Sequence, residues 1–296
     1  MDIGVSILPL GPWSSLRRRW QWAEEHGAAH AWTFDHLVWR ALPRHPWLGA
    51  VPVLAAVAGV TDRMRLGTLV SSPNFRAPVP FAKEVVSLDH ICGGRLVVGV
   101  GAGAGGFDAA QQPAAGPGRY DRFADFLGHL HDLLGPERAA RPGGAMEPGP
   151  VQPRLPLAVA ATRTRGLRLA ARHGDYWVTN GYSPAPGHRG PTLSVREVRD
   201  QVATLDRHCA DLGRDPATLR RLLVVGNPVE TPVEDVDSVH RLLDAYGELG
   251  FTDIVLPYPL ADDPHGLAVL AEVLAGHRGH PGTGHPDAPP PAEKTA

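Results

Sequence analysis

Cysteine is almost missing from this chain: Cys92 and Cys209 are the only two in 296 residues, and they lie far apart. Neither a disulfide framework nor a thiolate zinc cluster therefore has its ligands, and two buried or half-buried thiols are the expected state. Lysine is equally scarce, occurring only at Lys83 and Lys294. Arginine carries the remaining positive charge, a coding bias without chemical meaning. With 29 basic and 31 acidic side chains the net charge is -2, too little positive field to attract a polynucleotide. No apolar run is long enough to span a bilayer, and the N-terminal segment has neither a cationic stretch nor a small-residue cleavage site. The expectation is a cytoplasmic protein with neither nucleic acid nor membrane as partner. Histidines show no paired ligand spacing, so no metal is expected. A G-x-S-x-G elbow is missing as well, which removes the usual ground for an α/β-hydrolase.

What is present is alternation. Ile3 to Leu8 is short, apolar and partly β-branched, and Pro9-Leu10-Gly11-Pro12 ends it as a buried strand ends. A helix follows to about His26, capped by Ser14 or Ser15, with Leu16, Trp20 and Ala23 on one face. The same reading predicts strands at 31–34, 65–70, 96–100, 157–160, 176–179, 222–225 and 253–256. Helices are predicted between and after them, at 52–60, 81–91, 119–134, 164–173, 194–212, 233–249 and 265–275. Ser194-Val195-Arg196-Glu197 and Thr231-Pro232-Val233-Glu234 each set a hydroxyl three residues ahead of a glutamate, the pattern of a capping box. Helix starts are therefore predicted at 195 and 232, with Pro232 in the first helical position.

Strict β-helix-β alternation implies a parallel sheet, and eight such units favour a closed (β/α)₈ barrel over an open doubly wound sheet. A single α/β domain is expected over residues 1–278. The Gly- and Pro-rich stretches 101–118 and 135–156 read as insertions over the barrel rim. The tail 279–296, with Pro289-Pro290-Pro291, lacks the apolar residues to order itself.

In such a barrel the reactive groups lie where strands end and βα loops begin. The second strand ends in Asp35-His36. In a structural role Asp35 caps the loop while His36 bonds a backbone carbonyl; in a functional role the imidazole gives or takes a proton near neutrality. The fourth strand runs into Gly101-Ala102-Gly103-Ala104-Gly105-Gly106. This formally satisfies G-x-G-x-x-G, without the immediate helix and later acidic residue of a dinucleotide fingerprint. What remains is backbone that can approach an anion closely, or else a flexible rim loop. After the fifth strand, Ala161-Thr162-Arg163-Thr164-Arg165-Gly166 brings hydroxyls, guanidiniums and helix N–H groups to the same rim. That is a place for phosphate, unless a threonine merely caps the helix. Two anion-friendly loops on one rim favour a phosphorylated cofactor over a bare sugar. The tryptophans of the first 47 residues are assigned mostly to the core, with Trp39 and Trp47 near enough to the second strand's loop to face a planar ligand.

Taken in order, these motifs resemble the bacterial luciferase-like superfamily of flavin and deazaflavin oxidoreductases, over roughly residues 1–275. The likeness rests on Ala31-Trp32-Thr33-Phe34-Asp35-His36, on Arg65 to Val70 followed by Pro73-Asn74-Phe75-Arg76-Ala77-Pro78, and on Leu88-Asp89-His90 through Gly93-Gly94-Arg95-Leu96. It continues through Gly99-Val100-Gly101-Ala102-Gly103, the run Gly166 to Asp175 and the turn Gly213-Arg214-Asp215-Pro216.

The resemblance implies a TIM barrel, usually a homodimer, with FMN or coenzyme F420 held ring-first at the barrel mouth. The F420-using branch maps its Asp-His pair onto Asp35 and His36, and a non-prolyl cis peptide onto the bond joining Leu69 and Val70, behind the ring. Its phosphate contacts fall on Gly101, Ala102 and Gly103 and on Thr162, Arg163 and Thr164. Where sugar-phosphate dehydrogenases of that branch carry a catalytic Glu, this chain has Ala104, which argues against that substrate. The implied activity is hydride transfer between F420 and a C=C, C=N or C=O group of a small-molecule substrate. His36 is then the acid or base, Asp35 its orienting partner or a ring contact, and Leu69 and Val70 support the ring. Two alternatives stay open: an FMN-dependent monooxygenase that uses oxygen and a separate cofactor reductase, and a flavin-binding member without catalysis.

Overall fold

The computed structural model describes residues 1–39, 41–103, 105–111, 118–140, 145–180, 182–183, 192–226, 233 and 235–277. Eight parallel strands form the barrel: β1 (Asp2–Ser6), β2 (His30–Thr33), β3 (Arg65–Thr68), β4 (Leu96–Gly101), β5 (Leu157–Ala160), β6 (Tyr176–Thr179), β7 (Arg220–Val224) and β8 (Asp253–Pro257). Each pairs with its neighbours in sequence, and β8 closes onto β1. The helices that follow them are α1 (Trp13–Glu25), α2 (Ala50–Ala58), α3 (Pro78–Ile91), α4 (Arg119–Leu134), α5 (Thr164–His173), α6 (Val195–Asp211), α7 (Val236–Gly247) and α8 (Pro264–Gly276). The expected closed (β/α)₈ barrel is the fold. Among the described residues no helix is long and apolar enough to cross a membrane.

The two-residue period of a strand sorts side chains between two cores. Ile3, Val5 and Ile7 point outward and pack with Leu16 and Trp20 of α1. Trp32, Val97, Ala158, Val178, Leu222 and Val255 point inward and fill the cylinder. Burying each large apolar side chain in this way contributes roughly 1.5–3 kcal/mol.

The N-terminal end of the cylinder is closed by charge, which the sequence reading did not foresee. Arg220 donates from Nε and Nη2 to the two oxygens of Asp253, at 2.9 and 2.8 Å, and from Nη2 to Asp2 at 2.9 Å. Arg65 donates to the same Asp2 oxygen at 2.7 Å and to the Tyr176 hydroxyl at 3.2 Å. Trp32 Nε1 donates to His30 Nδ1 at 2.7 Å, so that nitrogen carries no proton, and Nε2 lies 3.4 Å from Asp253. Burial holds His30 below the usual histidine range and keeps it neutral against the pull of Asp253. Burial opposes ionisation of Asp253 too, but the proximity of His30 and the hydrogen bonds and charge of Arg220 outweigh it and hold the carboxyl below the usual range.

Several element starts differ from expectation, and at α7 and β7 a polar side chain decides. The Ser194 hydroxyl accepts from Glu197 N at 3.4 Å, and α6 starts at Val195 as predicted. The second expected box fails: Thr231, Pro232 and Glu234 lie outside the described residues, but Val233 is not helical. Helix α7 begins at Val236, where the Asp235 carboxylate accepts from Ser238 N at 2.7 Å and supplies the cap. Neither Ser14 nor Ser15 caps α1, which starts after Pro12 with no side-chain cap. Helix α2 starts two residues early, at Ala50, with Pro52 in the first turn, where a missing N–H costs nothing. Strand β7 starts at Arg220, not Leu222, because the carboxylates at the barrel base satisfy that guanidinium.

The two insertions lie at opposite ends. The stretch 101–118 joins β4 to α4 at the C-terminal mouth, contains the single helical turn Phe107–Ala110, and has residues 104 and 112–117 outside the described set. Of the stretch 135–156, between α4 and β5, the described residues 135–140 and 145–156 lie at the base, so they cannot cover the mouth as expected. They are strapped onto the end of α3, where Asp89 accepts from Val151 N at 2.9 Å and from Gln152 Nε2 at 2.8 Å. At the mouth a short antiparallel pair, Tyr182–Ser183 with Thr192–Leu193, follows β6. The tail 279–296 lies outside the described residues.

Candidate active site

Beyond Thr33 the chain leaves β2 at the mouth and presents Phe34, Asp35 and His36. Asp35 is only 2% exposed, and its oxygens are engaged. Ser71 Oγ donates to Oδ2 at 2.6 Å, while Arg76 donates from Nε to Oδ2 at 3.1 Å and from Nη2 to Oδ1 at 2.9 Å. The Arg76 guanidinium also lies against the Phe75 and Phe81 rings, 5.2 and 5.4 Å from their centres. Burial disfavours its charge, but the hydrogen bonds and charge of Asp35 outweigh this and raise Arg76 above the usual arginine range. Asp35 thus braces β2 against the segment after β3.

Asp35 is not the partner of His36. That role falls to Asp108, on the short helical turn beyond the glycine-rich loop. His36 Nδ1 lies 2.7 Å from Asp108 Oδ2, and Asp108 Oδ1 accepts from Leu37 N at 3.1 Å and Val38 N at 3.3 Å. Asp108 is buried, whereas the His36 side chain is 30% exposed. Among the described residues nothing bonds His36 Nε2. Aromatic rings flank the imidazole: Trp47 stands 6.0 Å and Phe34 6.4 Å from it, and Trp39 packs edge-on to Phe34 at 5.7 Å. Both tryptophans weighed as ligand neighbours therefore belong to one aromatic wall beside His36.

The floor of the mouth is the stretch after β3. The peptide joining Leu69 and Val70 is cis. The chain then turns back to β4, with Ser71 N donating to Gly99 O at 2.8 Å and Gly101 N donating to Ser71 O at 2.9 Å. This close approach explains the glycines of β4. A Cβ on Gly99 would collide with the Thr68 carbonyl, and one on Gly101 would sit 2.7 Å from Val70 Cγ2. Gly101 is therefore corrected from a phosphate donor to a packing position, because its N–H is already engaged. Phe34, Val70 and Ala160 cap the interior cluster, half-buried, and leave an apolar surface at the mouth.

Pairing of Gly101 with Ala160 sets the two expected phosphate loops side by side. Ala102 and Gly103 are half-buried. Gly103 has φ +74°, and the Asn74 side chain fills the space a Cβ would need. Across the groove Thr162 is half-buried, and Arg163 and Thr164 are exposed. Arg163 occupies the N-cap of α5, which has no side-chain cap and no acidic residue in its first turn. Neither threonine caps the helix, so both hydroxyls and the first-turn N–H groups stay available to an anion. Arg165 is instead paired with Asp121 at 2.6 Å.

Sequence reasoning missed Asp108, Ser71 and Arg76. For Asp108 a signal existed, since it is the single acidic residue in the stretch 101–118. Arg76 was quoted as part of a motif, but nothing local tied it to a carboxylate forty-one residues earlier.

A parallel barrel with a half-buried histidine beside an apolar floor, and unengaged hydroxyls at an uncapped helix start on the same rim, has the layout of a cofactor-dependent oxidoreductase. The profile of the luciferase-like monooxygenase family matches residues 1–225, and the chain belongs to that family. It is 28% identical to an F420-dependent glucose-6-phosphate dehydrogenase of Beutenbergia cavernae, the match covering 85% of this chain and 89% of that protein. It is 33% identical to the 4-hydroxyprotoasukamycin monooxygenase of Streptomyces nodosus subsp. asukaensis, over 70% of this chain and 62% of that one. Among solved structures, an F420-dependent secondary alcohol dehydrogenase in complex with an F420-acetone adduct superposes with a TM-score of 0.75. That match has 14% identity over 93% of this chain and 98% of the other, a likeness of fold. The protein is a luciferase-like oxidoreductase of the F420- and flavin-dependent type.

Proposed function

We propose that this oxidoreductase uses coenzyme F420 and passes a hydride between the deazaflavin and a C=O, C=N or electron-poor C=C group of a small molecule. The observation that carries the reading is His36, anchored through Nδ1 with Nε2 uncommitted, beside the apolar surface of Phe34, Val70 and Ala160. F420-dependent relatives at comparable identity support it, among them a hydroxymycolic acid dehydrogenase of Mycobacterium tuberculosis at 28%. Ala104, where the sugar-phosphate branch has Glu, argues for a different substrate.

The residues present fit the cofactor. A flat ring needs an apolar support, and Leu69 with Val70 would provide it. A phosphorylated side chain needs donors without competing carboxylates, and Ala102, Gly103, Thr162, Arg163 and Thr164 would line its path, with an uncapped helix end behind them. When bound, the deazaflavin supplies two-electron hydride chemistry. His36 takes the proton of a hydroxyl or amine as its carbon is oxidised, or returns it to oxygen or nitrogen in the reverse direction. The Asp35–Arg76 pair holds the strand end that carries His36, and the aromatic wall of Trp39 and Trp47 keeps water from the reacting atoms.

Fluorescence titration of the purified protein with F420 and, separately, with FMN tests the reading. Saturation by F420 alone, followed by F420-linked turnover of a carbonyl or alcohol panel, is expected. Saturation by reduced FMN with oxygen uptake would instead establish the monooxygenase reading, which the 33% identity to 4-hydroxyprotoasukamycin monooxygenase favours. The proposed assembly is a homodimer, checked by sedimentation.

A further inference from the structure

We propose that Asp108 is a positioning residue that fixes the tautomer of His36, holding the proton of the neutral ring on Nδ1 and presenting an unprotonated Nε2 to the mouth. An ionised carboxylate only accepts hydrogen bonds. Two peptide N–H groups, of Leu37 and Val38, take up Asp108 Oδ1 at 3.1 and 3.3 Å and set the orientation of the carboxylate. The remaining oxygen meets His36 Nδ1 at 2.7 Å, within the range of a charge-assisted bond. The Asp108 side chain is 8% exposed, so water competes little for this contact. With the proton on Nε2, two lone pairs would face each other across that distance.

The other charged groups at this end of β2 are engaged among themselves, Asp35 with Arg76 and Arg76 also with Glu84 at 3.1 Å, and Phe34 and Trp47 flank the ring without charge. No second carboxylate among the described residues competes for the imidazole. The same nitrogen, Nε2, therefore accepts a proton in the neutral state and carries it in the cationic one. This is the requirement for one group to serve both directions of a hydride transfer.

The contacts also predict what an amide does here. In Asp108→Asn the backbone N–H groups of Leu37 and Val38 keep the amide oxygen facing them, which turns the NH₂ toward His36. Nδ1 must then accept, and the ring proton moves to Nε2. The shape is nearly unchanged, while the nitrogen facing the mouth has lost its lone pair.

Two-dimensional ¹⁵N–¹H correlation spectra of the full-length protein without cofactor read this directly, with His36→Gln identifying the signal. The expected result is a neutral His36 protonated on Nδ1 in the natural protein and on Nε2 in D108N. Protonation on Nε2 in the natural protein, or the same tautomer in both, overturns the proposal; if D108N fails to fold, the spectrum of the natural protein decides alone. With substrate, D108N is expected to lower kcat by roughly 10²- to 10⁴-fold with little change in KM. Unchanged kcat would overturn the positioning role. This second arm rests on the hydride-transfer reading, whereas the spectra do not, so the two can fail separately.

Discussion

Asparagine in place of Asp253 removes the negative charge around which the barrel base is organised. Asp253 is fully buried, accepts two hydrogen bonds from Arg220 at 2.9 and 2.8 Å, and lies 3.8 Å from Arg65. Arg220 would keep its bond to Asp2, which Arg65 shares, and its place over the Tyr176 ring, but would lose the carboxylate that neutralises it. Breaking one partner of a buried pair costs about 3–5 kcal/mol, a large share of a total stability of about 5–15 kcal/mol. Taking about 3 kcal/mol and roughly 2–4 °C per kcal/mol for a chain of this size, the unfolding midpoint is expected to fall by about 6–12 °C. Urea unfolding with linear extrapolation measures the loss. Asp121→Asn is the control: the Arg165–Asp121 pair is 64% and 56% exposed, and its loss is expected to stay below about 1 kcal/mol. Acidification should act in the same direction. The His30 pKa is lowered in the folded state, so its stabilising contribution is complete above its ordinary value of 6.5 and lost as pH falls below it. Asp253 follows the same sign from 3.8 downward. In D253N the second, more acidic loss should disappear. A D253N protein no less stable than D121N, or one that retains the full acid response, would refute this account of the base.

Three further substitutions address the mouth. His36→Ala is expected to lower turnover by roughly 10²- to 10⁴-fold while cofactor affinity stays within a few-fold; full turnover excludes proton transfer by His36. Gly101→Ala places a methyl 2.7 Å from Val70 Cγ2, and an overpacking cost of about 1–3 kcal/mol at the floor is expected to weaken cofactor binding by roughly 5- to 150-fold, read by fluorescence titration. Unchanged binding would mean that the floor does not touch the cofactor. Arg76→Met leaves Asp35, 2% exposed, with only the Ser71 hydroxyl, and should destabilise the protein by about 3–5 kcal/mol in urea. A loss below about 1 kcal/mol would show that water replaces the guanidinium.

The fold was legible because strand and helix periods act locally. Ile3, Val5 and Ile7 must face one way whatever follows them, and repeating that pattern eight times leaves little choice of architecture. The failures share a different cause. Thr231 stood in a capping-box pattern, and local spacing does not rank its hydroxyl against the carboxylate of Asp235 four residues on. Placing 135–156 over the mouth ignored that a segment between a helix and the next strand returns to the base. In the site, Asp35 and His36 were found because they end a strand, but their partners come from 41 and 72 residues away. Such pairings are products of barrel closure, and no window of sequence contains them. Gly101 shows the converse error: a glycine that suggests an anion can equally record the approach of another chain segment, here Val70.

Polar groups at the two ends of this barrel differ in how completely they are satisfied. At the base Asp2, Arg65, Arg220 and Asp253 bond one another, and the network adds rigidity without offering an atom to a ligand. At the mouth the buried carboxylates are satisfied as well, Asp35 by Arg76 and Ser71, Asp108 by His36 and two peptide N–H groups. Among the groups that these bonds leave over in the described residues are one imidazole nitrogen of His36, the uncapped start of α5, and the hydroxyls of Thr162 and Thr164. An imidazole and a set of unengaged N–H and hydroxyl groups on one rim, with half-buried apolar side chains at the same end, suit the proposed ligand, flat at one end and phosphorylated at the other. On the proposed function, chemistry is therefore located by groups that the protein's own hydrogen bonding does not use, and the carboxylates that first attract notice serve to hold them in place.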